Sequence, residues 1–211
     1  MTPTPLRAHD LLWVSEMPAT ADGTPLPDWA LAACRQGAPV VVRRAPRGPD
    51  GVIPVGLRGR ARSERCAATV AVSTITRIIT PEALASTTAT IANDAPFAAL
   101  RTLRALAPEL NALGWAWGPT GGTGFTLASG LPVLHADSDL DLVMRMPHAP
   151  STAQRDHLVG LLSDTECRVD LQIDTGHGGF ALRDWLASPH KTLLKTDHGP
   201  RLVADPWSDV A

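Results

Sequence analysis

The segment Ser138-Asp139-Leu140-Asp141-Leu142-Val143-Met144 sets two carboxylates into an otherwise apolar run. The apolar residues predict a buried strand over 138–144. Side chains two apart on a strand share a face, with about 6 to 7 Å between their Cα atoms. Asp139 and Asp141 therefore project together from an element that belongs in a core. Two unpaired carboxylates at roughly 4 Å repel by about 4 kcal/mol at an effective dielectric near 20. The fold must either leave this strand end as a solvated acidic edge or give the pair a cation. Oxygen-only donors suit Mg²⁺, which commonly takes one or two carboxylates plus substrate phosphates; Mn²⁺ accepts the same donors.

A chain of 211 residues is one large domain or two small ones, and a hydrophobic fraction of 44% is enough for a real core. The net charge of −2 carries no overall nucleic-acid signature, but the charge is unevenly spread. Between Arg35 and Arg65 eight arginines face two acids, Asp50 and Glu64, with no lysine. Arginine presents a planar fork that matches phosphate and carboxylate, so this stretch points to a phosphorylated substrate or an acidic protein partner. The cysteines, Cys34, Cys66 and Cys167, form no C-x-x-C pair and are odd in number. Neither a disulfide framework nor a zinc site is expected. With no run of 18 apolar residues and no signal-peptide layout, the expectation is a cytoplasmic protein without a membrane span.

Val40–Val42, Val52–Leu57 and the region 66–79 read as strands, with the turn Pro46-Arg47-Gly48-Pro49-Asp50-Gly51 between the first two. If the second strand continues, Arg58, Arg60 and Arg62 share one face. Thr80-Pro81-Glu82 opens a short helix. Asn93-Asp94-Ala95-Pro96 looks like the start of another, with Asp94 as cap. That helix has Leu100, Leu103, Leu106 and Leu110 on one face, a kink or break at Pro108, and Gly114 as C-terminal cap. Trp115–Trp117 is a short strand, one of whose tryptophans could line a pocket, and Gly118–Gly124 a glycine-rich loop. Ser151-x-x-Gln154 resembles a capping box, and Cys167–Ile173 alternates as a strand. The expected class is α+β. A small basic β-rich domain, residues 1–85, precedes a second domain, residues 86–211, with a mixed sheet flanked by helices; the boundary falls near 81–94.

The glycine stretch has neither the lysine of a P-loop nor dinucleotide-fingerprint spacing, though glycine lets backbone N–H groups approach a phosphate closely. His9-Asp10 point opposite ways on an extended segment, which favours a structural role. His135, His177 and His198 lack zinc-ligand spacing.

The order strand, Gly121-Gly122, helix, Asp139-Leu-Asp141 resembles the nucleotidyltransferase fold of polymerase β-like enzymes, whose third acid Asp170 in Arg168-Val-Asp170-Leu would supply. The spacer of 16 residues between Gly122 and Asp139 is long for that superfamily. It is similar to that of the malonate decarboxylase holo-acyl-carrier-protein synthases, the phosphoribosyl-dephospho-CoA transferase family. Ser129-Gly-Leu-Pro132 followed by Ser138-Asp-Leu-Asp-Leu142 resembles that family's T-G-L-P and S-D-L-D-L. Arg7-Ala-His9-Asp10-Leu-Leu-Trp13, the arginine motifs at 39–46 and 53–59, and Leu193-Leu-Lys195 resemble further family motifs. Gly121-Gly122 stands where the family writes Gly-Ser, Phe125-Thr126 where it writes Trp-Gln, and Gln172 where it writes Glu. Either Asp170 or Asp174 could therefore be the third acid.

The resemblance implies transfer of a phosphoribosyl-dephospho-CoA group from triphosphoribosyl-dephospho-CoA to a serine of the malonate decarboxylase acyl-carrier subunit, with release of pyrophosphate. It implies a two-metal Mg²⁺ site on Asp139 and Asp141, with Asp170 adding a ligand or accepting the serine proton. Gly121 and Gly122 would hold the triphosphate. Arg58, Arg60 or Arg62 and Lys195 would neutralise the leaving group or dock the carrier. Nucleic acid and membrane are not expected partners. The alternatives are adenylyl transfer to another hydroxyl and a nucleotide-sensing module without catalysis.

Overall fold

The computed structural model describes residues 5–61 and 63–208, and the backbone only at Asp50. Arg62 lies outside the described residues. The chain forms two compact units: residues 1–80 with 125–133, and residues 81–124 with 134–211.

The first unit holds β1 (Leu11–Val14), α1 (Asp28–Arg35), β2 (Val40–Val42), β3 (Val52–Arg58), β4 (Arg65–Ala71) and β5 (Ile75–Ile79). These strands make one antiparallel sheet in the order β4-β3-β2-β1-β5. Period-two burial puts Val40, Val42, Ile53, Val55, Leu57, Ala68 and Val70 into one core with Leu12 and Ala30. The region 66–79 is two strands, because a 3₁₀ turn at Val72–Thr74 breaks it. The strand expected to run through Arg58, Arg60 and Arg62 ends at Arg58. Gly59 N–H then bonds the Glu64 carbonyl at 3.1 Å and closes the turn into β4. Arg58 and Arg60 accordingly do not share a strand face.

The second unit begins with α2 (Pro81–Ala85), α3 (Ala98–Ala112) and β6 (Ala116–Pro119). Next comes α4 (Gly121–Ser129), whose first turn belongs to this unit. It continues with β7 (Leu140–Arg145), α5 (Thr152–Ser163), β8 (Val169–Asp174), β9 (Gly179–Ala181), α6 (Leu182–Ala187), β10 (Thr192–Thr196) and β11 (Gly199–Val203). The sheet order is β11-β10-β9-β8-β7-β6, with β7 and β8 parallel and the other pairs antiparallel. The class is thus α+β, with an antiparallel and a mixed sheet. Leu140, Leu142, Met144, Leu171 and Ile173 fill the core on one side of this sheet with Leu103 and Leu110 of α3.

Three local expectations give way to tertiary structure. The helix starts at Ala98 and not at Asp94: Phe97 is extended (φ −107, ψ 132), and no side chain caps the helix. The preceding loop is fixed instead by Arg101 Nη1, which donates to the Ala95 carbonyl at 2.6 Å, and by Arg104. Pro108 neither breaks nor ends the helix. Its ring lies on the exposed face, while Leu106, Ala107 and Leu110 hold the opposite face in the core. The glycine-rich stretch is not a loop: it finishes β6 and opens α4. The capping box of α5 does form, Gln154 N–H donating to Ser151 Oγ at 3.3 Å and Ser151 N–H to Gln154 Oε1 at 2.9 Å.

Candidate active site

The glycines around 120 are dictated by close approach. A Cβ on Gly118 would overlap the Pro81 carbonyl, so β6 lies directly against α2. A Cβ on Gly124 would sit 2.5 Å from the Pro119 oxygen. Gly121 has φ +54, and a Cβ there would overlap the Asp141 carboxylate. The Asp141 side chain is therefore packed on bare backbone at the first turn of α4. Thr120 N–H donates to the Asp141 carbonyl at 2.8 Å and locks β7 to the same turn.

Parallel pairing sets the rest of the constellation. Asp141 is the register partner of Asp170, Val143 of Gln172, and Arg145 of Asp174. Partners across a parallel ladder share a face, about 5 Å apart. Asp141 and Asp170 thus stand side by side, both half-buried, with Asp139 immediately ahead of β7 and also half-buried. Asp170 Oδ1 accepts from Arg168 Nη2 and Arg183 Nη1, each at 3.0 Å. Two guanidinium groups offset the charge that this carboxylate adds beside Asp141.

Asp174 is differently employed. Its Oδ2 accepts from Arg145 Nη1 at 2.6 Å and its Oδ1 from Gly176 N–H at 2.9 Å. Arg145 Nε also donates to Glu82 Oε1 at 2.9 Å. This Glu82-Arg145-Asp174 triad, with Arg145 and Asp174 buried and Glu82 half-buried, ties α2 to β7 and β8, four residues along from the Asp141–Asp170 row. With both oxygens engaged, Asp174 is an anchor of the fold.

The structure brings together Gly121, Asp141 and Asp170, with Asp139 and the buried Gly122 adjoining them in sequence. Lys195 is exposed on β10 and pairs with Gly179, itself the partner of Asp174. It falls in the Asp174 row, about 13 Å along the strand direction from Asp170. Arg58 and Arg60 belong to the first unit. Arg58 is half-buried with its guanidinium 5.7 Å from the Phe125 ring centroid, and Arg60 is exposed in the turn. Trp117 is buried in the core and donates Nε1–H to Asn111 Oδ1 at 2.9 Å, which joins β6 to α3. Asp10 is buried and accepts from Arg7 N–H at 2.8 Å, a structural turn.

The donor set at Asp139 and Asp141 is oxygen only. Among the described residues no group of three or more His, Cys, Asp or Glu side chains is arranged to hold a metal. Two half-exposed carboxylates still fit Mg²⁺, which usually completes its shell with water and substrate phosphates. Sequence reasoning missed Arg183 and Arg145. Arg168 was visible two residues before Asp170, on the same strand face.

The family model described as phosphoribosyl-dephospho-CoA transferase MdcG N-terminal domain matches residues 7–81, and the C-terminal domain model matches residues 83–206. A curated relative from Pseudomonas putida is 45% identical over 202 residues, covering 96% of this chain and 95% of its own. One from Pseudomonas aeruginosa strain PAO1 is 45% identical over 202 residues, covering 94% and 92%. One from Azotobacter vinelandii is 44% identical over 210 residues, covering 96% and 95%. All three carry the name phosphoribosyl-dephospho-CoA transferase. No solved structure matches significantly.

Proposed function

The chain belongs to the phosphoribosyl-dephospho-CoA transferase family and is a transferase, and we propose that it moves the 2′-(5″-phosphoribosyl)-3′-dephospho-CoA group from its triphosphate precursor to a serine of the malonate decarboxylase acyl-carrier subunit. This is a nucleotidyl-type transfer. The serine Oγ–P bond forms at the α-phosphorus, the bond from that phosphorus to the bridging oxygen breaks, and pyrophosphate leaves with the electron pair. The observation that carries the proposal is the seating of Asp141 on Gly121, in register with Asp170. It juxtaposes carboxylates with the first turn of a helix, where backbone N–H groups lack intrahelical partners.

Asp139 and Asp141 would hold Mg²⁺, as one ion or two, which when bound supplies positive charge to the triphosphate. Gly121 and Gly122 let backbone N–H groups come close to phosphate oxygens. Asp170 has Oδ1 engaged by two arginines, so its Oδ2 is the atom offered to the serine proton. Half-exposure of the three carboxylates leaves the row reachable by a macromolecular acceptor. Arg58 and Arg60, from the arginine-rich first unit, are proposed to bind the donor or an acidic carrier surface; Lys195, outside the acid row, fits carrier contact better than leaving-group contact. No helix among the described residues is long and apolar enough to cross a membrane. The test is pyrophosphate release measured with precursor and carrier together and with each omitted. Release that requires both supports the proposal. Equal release without the carrier contradicts it.

A further inference from the structure

Two arginines share a single oxygen of Asp170: Arg168 Nη2 and Arg183 Nη1 both reach Oδ1 at 3.0 Å. Arg168 stands just before β8, and Arg183 lies in the first turn of α6; their side chains are 53% and 60% exposed. Arg183 Nε also lies 3.5 Å from Asp184 Oδ1. A guanidinium carries five N–H donors in a planar fork. One bond from each fork to Asp170 fixes both groups in place and leaves most of their donors turned to solvent. Solvent-exposed ion pairs of this kind add little to stability, so the arrangement is not explained as a brace for the fold. The fold's brace is the triad centred on the buried Arg145, two rows away.

The charge pattern gives the pair a use. Asp139 and Asp141 call for a cation. Beside them, Arg168 and Arg183 call for an anion, and both guanidinium groups meet at Oδ1 of Asp170. Paired forks match phosphate oxygens bidentately. We infer that Arg168 and Arg183 form a clamp for the terminal two phosphates of the donor, the part that leaves as pyrophosphate, with Asp170 Oδ1 positioning them. This rests on the triphosphate-donor proposal above and adds residues that it does not assign. Charge accumulates on the leaving oxygens as the bond to phosphorus breaks, and preorganised guanidinium donors stabilise it there.

The experiment is calorimetric titration of the full chain with inorganic tripolyphosphate without metal, beside steady-state transfer. Arg168→Ala and Arg183→Ala are each expected to weaken tripolyphosphate at least tenfold. Arg183→Lys, which keeps the charge without the fork, should recover only part of the loss. Thermal unfolding should stay at the wild-type temperature, which separates a clamp from a structural role. Unchanged tripolyphosphate affinity in both alanine variants overturns the clamp, even if the wild-type chain modifies its carrier. No tripolyphosphate binding by the wild-type chain at millimolar concentration overturns it as well. Binding that depends on both arginines supports the clamp even if no carrier is modified, in which case the acceptor assignment alone falls.

Discussion

Gly121→Ala tests the packing on which the site rests. The residue sits at φ +54, which costs a side-chain-bearing residue about 1 to 2 kcal/mol. The new Cβ would also meet Asp141 Cγ at 2.6 Å and Cβ at 2.8 Å, as well as overlapping Oδ2. Rotation about χ1 can remove the carboxylate but cannot move Asp141 Cβ, so β7 and α4 must part. That strains the 2.8 Å bond from Thr120 N–H to the Asp141 carbonyl, worth about 1 kcal/mol. The sum is about 2 to 3 kcal/mol, a fall in unfolding temperature of about 5 to 10 °C for a chain of this size. Displacement of a reacting group by about 1 Å can cost about a hundredfold in rate, so transfer should fall at least that far. Gly114→Ala is the control. It has φ +77 with nothing within 4 Å of a Cβ, so it carries the backbone cost without the clash. Differential scanning calorimetry and a carrier-modification assay read both variants. If Gly121→Ala unfolds where Gly114→Ala does and turns over as fast, the packing argument is wrong.

Asp139→Asn and Asp141→Asn should abolish transfer and Mg²⁺ binding, while metal-free thermal stability is unchanged or higher because a repelling charge is gone; retained turnover in either would remove it from the metal site. Arg145→Met should destabilise by about 3 kcal/mol by leaving the buried Asp174 and the half-buried Glu82 without their cation, and urea unfolding reads this directly. Asp174→Asn should lose stability yet keep donor affinity, whereas Asp170→Asn should lose activity with little change in stability; the opposite pattern would exchange their roles. Arg58→Glu or Arg60→Glu should weaken donor or carrier binding with a strong ionic-strength dependence, and separate titrations say which. ATP lacks the pantetheine arm whose binding energy can position the reacting phosphate, so it should be slow as a donor even at saturation; equal turnover would favour adenylyl transfer.

Periodicity made much of the fold legible. Val40–Val42, Val52–Leu57 and the alternation of Val169, Leu171 and Ile173 appear as strands, and Ser151-x-x-Gln154 appears as a cap. What failed was local chemistry overruled by distant partners. Asp94 looks like a cap, but arginines from the following helix hold the loop by its carbonyls. Pro108 looks like a breaker, but it faces solvent on a helix whose other side is buried. The β10–β11 hairpin turns at Asp197-His198, with Gly199 at φ +111 opening β11, and Asp-His-Gly is a turn signal legible in the sequence. Around the site, the Asp139–Asp141 spacing is local to the start of one strand and could be read directly. The alignment of Asp141 with Asp170, and of Arg145 with Asp174, is a property of strand register between segments almost thirty residues apart. Arg183 reaches Asp170 from a helix thirteen residues later in the chain, and no sequence period links them.

The central claim is tested most directly by intact-mass and tandem mass spectrometry of the carrier subunit after incubation with the chain, Mg²⁺ and triphosphoribosyl-dephospho-CoA. The account predicts one phosphoribosyl-dephospho-CoA adduct per carrier, on a serine, formed by the wild-type chain and absent with Asp141→Asn. An unmodified carrier, or an adduct that forms equally with Asp141→Asn, would contradict it.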